Sequence, residues 1–530
     1  MGRAPLRIVL PGTGAPLGAA GIASGVLVAL ALRVPGLGPL AAIALIPLLA
    51  GCLAGRPGRA AVEGWLCGVL VFGTGFAWVL DVRGSIEVPT TAFLLGTAFL
   101  ALATAGFGAG VAHLARRSGP VAGLAAAPAL WIALEWARSL GPVGVPWLRL
   151  GSSLAEWPLL IQGADLGGVF LLSGWIVALD AALVALLVLR RREALPVLAA
   201  LVFVPVAYGA RALDRHAPGT DGSPLRVAAV QPNIAEESRH DPALFDAHLR
   251  RLLALSESVA EQDADLVVWP ETAYERPISQ GDPFLGAIAN LLGLPLLTGV
   301  RRFPADGSST ARNSVALAVP GGESRAVADK VHPVPVYESA PPLPTAWGLA
   351  AAGWWPGRTE GGEAPGLATI PRGDDEPVSV GVLICFDASH TDVARRLRRA
   401  GAVLLVGVYN EAQAGRWVAH QHELFARLRA VENRIPLVRV ANTGRSAWID
   451  SAGRTLSSLR ADAPGAGTVS LPSAGAPSLY SRWGDAPVVA LAFVVPVTCG
   501  LWPRRRPRSR LRRGGTLGPI HPPESQGDAR

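Results

Sequence analysis

Three residue types able to carry covalent chemistry stand at the ends of apolar segments in this chain. Cys385 follows the run Val378-Ser-Val-Gly-Val-Leu-Ile384 and precedes Phe386-Asp387. Such a run of apolar and β-branched residues reads as a buried strand, and α/β folds open their sites at the carboxyl ends of strands. Asp265-Leu-Val-Val-Trp-Pro-Glu271 ends a similar strand in a carboxylate, and Ala328-Asp-Lys330-Val-His332 supplies an ammonium. A thiol, with an unperturbed pKa of about 8.5, attacks as its thiolate and needs a base or a positive field beside it. Glu271 is the natural proton acceptor. Taken singly, Cys385 also reads as a buried structural thiol, Glu271 as a strand cap and Lys330 as a solvated charge. Their shared strand-end setting favours chemistry.

In order along the chain, Trp269-Pro-Glu271-Thr, Asp329-Lys330-Val-His332 and Ile384-Cys385-Phe-Asp387 resemble the Glu, Lys and Cys signatures of the nitrilase (carbon-nitrogen hydrolase) superfamily. Gln231-Pro-Asn233-Ile, Arg312-Asn313-Ser314, Gln421-His422, Ala430-Val-Glu432-Asn-Arg434 and Ala441-Asn442-Thr443-Gly444 are similar to motifs of the apolipoprotein N-acyltransferase family, as are the hydrophobic segments at both ends. Each motif alone is weak, but the set covers most of the chain. The resemblance implies an α-β-β-α sandwich with Glu271, Lys330 and Cys385 as the catalytic triad. Lys330 and the backbone N–H of Phe386 would stabilise an oxyanion, and Glu338 would be a second carboxylate orienting Lys330 or an acceptor amine. It also implies a phospholipid acyl donor, a diacylated apolipoprotein acceptor and a thioester intermediate. A membrane-tethered amidase or nitrilase and a non-catalytic envelope scaffold remain as alternatives.

Several positions depart from the family pattern. The family commonly has Phe-Gly-Glu where this chain has Val336-Tyr337-Glu338, Tyr where it has Phe386, and Glu where it has Asp387. Its Ser-Asn-Asp-Ala-Trp-Phe loop is here Val408-Tyr-Asn410-Glu411-Ala-Gln413, and a Trp following the Gln-x-Asn motif is replaced by His240. In the amino-terminal half, Pro146-Trp147, Ser152-Ser153 and Gly163-Ala-Asp165-Leu-Gly-Gly168 resemble family segments expected to line lipid entry.

The elements that position these residues include membrane spans. Of 530 residues, half are hydrophobic and only 17% charged, a balance that fits a membrane protein carrying a folded domain. The formal charge of +8 comes with no nucleic-acid motif; the arginines flank apolar spans or crowd the tail from Arg504 to Arg513. Runs near 14–33, 37–54, 61–80, 91–114, 119–138, 164–189, 194–213 and 486–502 are candidates to cross about 30 Å of hydrocarbon. Arg3 and Arg7, Arg56 and Arg59, Arg116 and Arg117, Arg190 to Arg192, and the tail fall at alternate ends of these spans. Under the positive-inside rule both termini are cytoplasmic, and residues from about 214 to 485 lie on the extracytoplasmic face of the cell membrane. The first span is expected to be retained rather than cleaved. Trp483 and Trp502 bracket the last span as interfacial anchors or as packing residues.

The expected organisation is therefore a membrane domain over 1–213, a catalytic domain over 214–485, a last span over 486–502 and a basic, disordered tail over 503–530. Within the catalytic part, strands at 225–231, 265–271, 295–300, 402–408 and 436–441 alternate with helices at 241–260, 283–292, 391–400 and 417–434. A hairpin is read at 447–456, and the Gly-, Pro- and charge-rich segments 302–312 and 357–377 read as loops. Cys52, Cys67 and Cys499 lie in apolar spans, so Cys385 has no disulfide partner in its domain. No metal-ligand spacing or phosphate loop is present; no metal, nucleotide or other cofactor is expected, nor any nucleic-acid partner, and the chain is expected to be a monomer. Glu63, Glu135 and Asp180, carboxylates in or beside apolar runs, are functional candidates, with pairing to Arg138 as the structural alternative for Glu135.

Overall fold

The computed structural model describes residues 16–501, except 82–89, 142–143, 218–224, 240, 279–281, 304–310, 336–337, 339–358, 373–374 and 473. His240, Val336, Tyr337, Trp502 and the basic tail therefore lie outside the described residues.

Apolar helices come first. They are α1 (Ala19–Arg33), α2 (Ile46–Ala54), α3 (Pro57–Phe76), α4 (Thr90–Ser118), α5 (Pro120–Ala137), α6 (Ala164–Leu187) and α7 (Ala194–Arg215). Five described helices, α3 to α7, are long and apolar enough to cross a membrane, α3 counted with the 3-10 turn that continues it to Leu80. The expected spans at 14–33, 37–54 and 486–502 appear as shorter apolar helices, so a count of eight rests on pieces such as α1, with 15 residues. Most of α7 faces outward; Phe203 and Val204 are exposed, as lipid contact requires.

Glu63 and Glu135 have structural partners. Glu63 accepts the backbone N–H groups of Gly18 and Gly21 at 2.9 and 2.8 Å, placing a carboxylate at the positive end of α1. Glu135 accepts from Trp131 Nε1 at 2.8 Å and the Leu150 N–H at 2.7 Å, while Arg138 donates to the carbonyls of Val145, Trp147 and Leu148. The two side chains thus fix the loop at 145–150 through its backbone rather than through the ion pair considered from the sequence. Asp180 is fully buried within α6.

The rest of the chain builds two sheets. The first contains β1 (Leu225–Gln231), β2 (Leu266–Val268), β3 (Tyr274–Ile278), β4 (Leu296–Arg302), β5 (Arg312–Ala318) and β6 (Arg325–Asp329). The second contains β7 (Leu367–Arg372), β8 (Asp375–Ile384), β9 (Leu404–Tyr409), β10 (Leu437–Ala441), β11 (Ala447–Ile449) and β12 (Thr455–Ser458). The last strand, β13 (Gly465–Leu471), returns to the first sheet, whose order is β13-β1-β2-β4-β5-β6 with β3 on β4; the second runs β12-β11-β10-β9-β8-β7. Parallel pairing of β1 with β2, β2 with β4, and β8 with β9 and β9 with β10 gathers the carboxyl ends of the central strands at one edge.

Period-two alternation makes this a layered fold. Val227 and Ala229 of β1 face the core shared by the two sheets, whereas Ala228 and Val230 face α8 (Phe245–Ala260) and α9 (Pro283–Leu292). In β8, Val380, Val382 and Ile384 point into the shared core, while Leu383 packs outward with α10 (Thr391–Arg399) and α11 (Gly415–Asn433). The α-β-β-α sandwich and the 447–456 hairpin agree with the sequence reading. The expected loop at 357–377 does not: β7 runs through Leu367–Arg372 because Ala368 and Ile370 alternate into the core, a signal diluted by neighbouring Gly, Pro and charged residues.

The shared core continues into the apolar helices without a break. Polar contacts reinforce that seam. Arg434 bonds Asp165 at 2.6 Å, Tyr208 donates to the same carboxylate, and the Val169 N–H at the break in α6 donates to Glu432 at 2.9 Å. The break is at Gly167-Gly168; a β-carbon on Gly168 would lie 2.5 Å from the Tyr480 ring. Beyond it, α12 (Ala486–Leu501) packs back against α5 and follows Trp483, which is exposed.

Candidate active site

Glu271, Lys330 and Cys385 come from three strand ends brought to one edge: β2 and β8 by parallel pairing, and β6 by its antiparallel pairing to β5, which is itself antiparallel to β4. β2 ends at Val268 and the chain turns through Trp269-Pro270 into Glu271; Thr272 then takes φ 45°, an uncommon value for a β-branched residue. β6 ends at Asp329, immediately before Lys330. β8 ends at Ile384, and Cys385 opens a 3-10 turn, Cys385–Ser389, with φ 50°. A cysteine held in the left-handed region at a strand-to-helix turn is aimed away from the strand by backbone geometry that the surrounding fold must enforce.

All three side chains are buried, and the charges among them are paired. Lys330 Nζ donates to Glu271 Oε1 at 3.2 Å and to Glu338 Oε1 at 2.8 Å. Asn313 Nδ2 donates to the same Glu271 oxygen at 2.7 Å and lies 3.4 Å from Glu338 Oε1. The other Glu271 oxygen accepts the Asn410 N–H at 2.9 Å, from the loop after β9. Glu338 is held in turn by the Val334 N–H at 2.7 Å. One ammonium therefore bridges two carboxylates, with an amide and two backbone donors fixing their orientation.

Burial alone would drive a lysine toward its neutral form, but Glu271 and Glu338 outweigh it and hold the Lys330 ammonium well above its ordinary pKa. For Cys385 burial raises the thiol pKa well above the ordinary value; the charge of Glu271 adds to that, and Lys330 only partly opposes it. These directions favour the neutral thiol and the charged ammonium, so attack by Cys385 would call for proton transfer from sulfur as it begins.

Asp387 ties the Cys385–Ser389 turn to the lysine segment. Its carboxylate accepts from the His332 N–H at 2.8 Å, from the Val331 N–H at 3.3 Å and from the Ile384 N–H at 3.3 Å. Burial pushes this carboxyl up to about 6, against the pull of those N–H groups and Lys330. The substitution of Asp for the longer Glu noted in the sequence thus sits at a structural brace. Phe386 turns its ring onto Trp147, with centroids 5.8 Å apart and planes at 25°. Arg149, from the same loop, donates to the Ser389 carbonyl at 3.0 Å, and Ser389 Oγ returns a bond to the Phe386 carbonyl at 2.7 Å. The loop between α5 and α6 therefore lies directly on the Cys385–Ser389 turn.

Sequence reading placed Glu271, Lys330, Cys385, Phe386 and Glu338 here, and the structure brings them together. It flagged Asn313, Asp387, Asn410 and Trp147 by resemblance without their contacts. Arg149 and Gly299 went unnoticed. Gly299 carries no visible local signal, yet a β-carbon there would lie 2.3 Å from the Thr272 nitrogen and 2.6 Å from the Glu271 Cα.

Residues 24–183 match the family model of the apolipoprotein N-acyltransferase N-terminal domain, and residues 226–476 match that of carbon-nitrogen hydrolase. An apolipoprotein N-acyltransferase of Geobacter metallireducens is 34% identical over 89% of this chain and 94% of its own length. One from Allorhizobium ampelinum is 34% identical over 86% and 90%. Among solved structures, an amidase from Nesterenkonia sp. aligns with 50% of this chain and 95% of its own at 20% identity and a TM-score of 0.37. With similarity running through both the apolar helices and the layered domain, this chain belongs to the apolipoprotein N-acyltransferase family.

Proposed function

We propose that this chain moves an acyl group from a membrane phospholipid to the free α-amine of a diacylglyceryl-cysteine at the N-terminus of a lipoprotein, through a thioester on Cys385. Glu271 takes the thiol proton as sulfur attacks the ester carbonyl. The developing oxyanion is met by Lys330 and the Phe386 N–H, the kind of charge stabilisation that usually contributes most to such a reaction. Collapse breaks the ester C–O bond, and Glu271 returns the proton to the departing lysophospholipid alkoxide. In the second half the amine attacks the thioester, Glu271 accepts its proton, and the thiolate leaves and is reprotonated. Glu338 keeps Lys330 charged and oriented through both halves.

The observation that carries the reading is the contact of the nucleophile turn with the loop between two apolar helices: Trp147 on Phe386 and Arg149 on Ser389. A site walled by the membrane half suits two lipid-anchored substrates, whose chains cost about 0.8 kcal/mol per CH₂ to draw into water. The same wall disfavours water as the acyl acceptor. The alternating arginines support an extracytoplasmic catalytic domain on the cytoplasmic membrane of the cell, where lipoprotein N-termini would be met.

Purified protein incubated with phospholipid alone should gain one hydroxylamine-labile acyl group on Cys385 by intact-protein mass spectrometry. A diacylglyceryl-cysteine peptide with a free amine should discharge it to an amide, whereas the N-acetylated peptide, whose nitrogen is no longer nucleophilic, should not. Hydrolysis of small amides with the thioester indifferent to both peptides would replace acyl transfer by an amidase reaction.

A further inference from the structure

Beside the nucleophile turn lies an aromatic cluster whose polar atoms are unmatched. Trp147 is the hub: its ring lies 6.2 Å from Trp78, 6.4 Å from Trp417, 5.3 Å from Phe425 and 5.8 Å from Phe386. The indole N–H groups of Trp78, Trp147 and Trp417 are all buried, and none meets an acceptor among the described residues. Trp147 itself is only 4% exposed. A buried indole ordinarily finds an acceptor, because an unmade hydrogen bond forfeits the hydration lost on burial. Three such donors around one ring, drawn from α3's continuation, the 145–150 loop and α11, are therefore an arrangement that calls for acceptor oxygen.

The surroundings select the kind of oxygen. Cations around these rings are already engaged: Arg33 lies over the Trp417 ring and donates to the Thr74 carbonyl, Arg138 holds the carbonyls of Val145, Trp147 and Leu148, and Arg439 pairs with Glu411. The other rings on Trp147 are Phe76, Phe386, Phe425 and the imidazole of His422, behind which Glu411 adds a negative charge. Such surroundings disfavour a phosphate or carboxylate and suit a neutral group that only accepts. We infer that Trp78, Trp147 and Trp417 form a subsite for the ester carbonyl oxygens of a glycerolipid. The inference rests on the acyl-transfer reading above, in which both the phospholipid donor and the diacylglyceryl acceptor carry such esters.

The test pairs a deleted donor with a deleted acceptor. Full-length protein with Cys385→Ala, which cannot form the thioester, is titrated in detergent micelles with a diester phosphatidylglycerol and with its diether analogue, and separately with diacylglyceryl- and dialkylglyceryl-cysteine peptides. Trp78→Phe and Trp417→Phe keep an aromatic ring while removing the N–H together with part of the indole surface, so the diether, which offers no carbonyl, is the control for lost packing. The parent should favour the diester form by roughly 2- to 10-fold per hydrogen bond. Each Phe variant should lower the diester-over-diether preference by a similar factor, because any loss of packing falls on both ligands alike and cancels in the ratio. The ligand whose preference falls identifies the bound lipid. Absence of a diester preference in the parent overturns the subsite, as does a preference that survives both substitutions in both ligand series. Trp78 and Trp417 stand on separate halves of the chain, so a folding defect in one variant leaves the other decisive. Thioester formation on Cys385 is scored separately in otherwise unsubstituted protein: its presence without a diester preference removes the subsite alone, and its absence with the preference intact removes the acyl-transfer reading alone.

Discussion

Replacing Gly299 with alanine isolates how closely Glu271, the proposed base, must be placed. Gly299, in β4, runs beside the turn that carries Glu271, and its N–H donates to the Pro270 carbonyl at 3.1 Å. An added methyl carbon would stand 2.3 Å from the Thr272 nitrogen, 2.5 Å from the Pro270 oxygen and 2.6 Å from the Glu271 Cα. These are backbone atoms, not the movable end of a side chain, and ordinary contact begins near 3.4 Å. Relief therefore requires the Glu271 turn to withdraw by about 1 Å, at an overpacking cost of about 1–3 kcal/mol. That withdrawal lengthens the bonds from Lys330, Asn313 and Asn410 to the carboxylate together. A misplacement of about 1 Å in catalytic geometry costs on the order of 100-fold in rate. Single-turnover acylation of Cys385 by phospholipid, followed by intact-mass spectrometry, should fall by roughly that factor while the protein still folds. Gly465→Ala is the control, since the nearest atoms to its β-carbon are 4.0 Å away. A folded Gly299→Ala protein that acylates within about threefold of the parent would refute the reasoning.

The buried thiol gives a pH prediction with a definite sign. A pKa raised above the ordinary thiol value lowers the thiolate fraction at every working pH, so alkylation of Cys385 by iodoacetamide should climb tenfold per pH unit through pH 9 without levelling. Glu271→Gln should increase the rate and Lys330→Met should reduce it, because the first removes a charge that raises the pKa and the second a charge that lowers it; a plateau below pH 9 in the parent contradicts this. Asp387→Ala strands three buried N–H groups and should cost about 1–3 kcal/mol of stability, read as a lower Tm, with Asn recovering part of the loss. Equal Tm values for all three forms would show that the brace carries no energy. Compartment-specific reporters fused within 304–310 should be active only outside the cytoplasm, and a cytoplasmic signal would invert the assigned topology.

What the sequence determined on its own is the part governed by local pattern. Apolar runs marked the strands ending near Glu271 and Cys385, amphipathic or helical patterning marked α8 and α11, and long apolar stretches marked the membrane helices. Those signals depend on residues a few positions apart, which is why they survive without coordinates. The weak cases were also local: the charge-rich surroundings of β7 concealed its alternation, and the pieces about Gly38–Ala54 and Ala486–Leu501 are too short or interrupted for hydropathy to settle their number.

Only the tertiary structure decided which partners those residues meet. Lys330 lies 59 positions from Glu271, Asn410 139 positions from it, and Arg149 240 positions from Ser389, so no window along the chain relates them. The pairing of one ammonium with two carboxylates, the Asp387 brace and the close approach of Gly299 all follow from strands ending at one edge. The same holds for Trp147: its ring belongs to a loop between apolar helices, and it meets Phe386 because the sandwich packs the Cys385–Ser389 turn against that loop, where burial and ring contact, not sequence spacing, fix the distance.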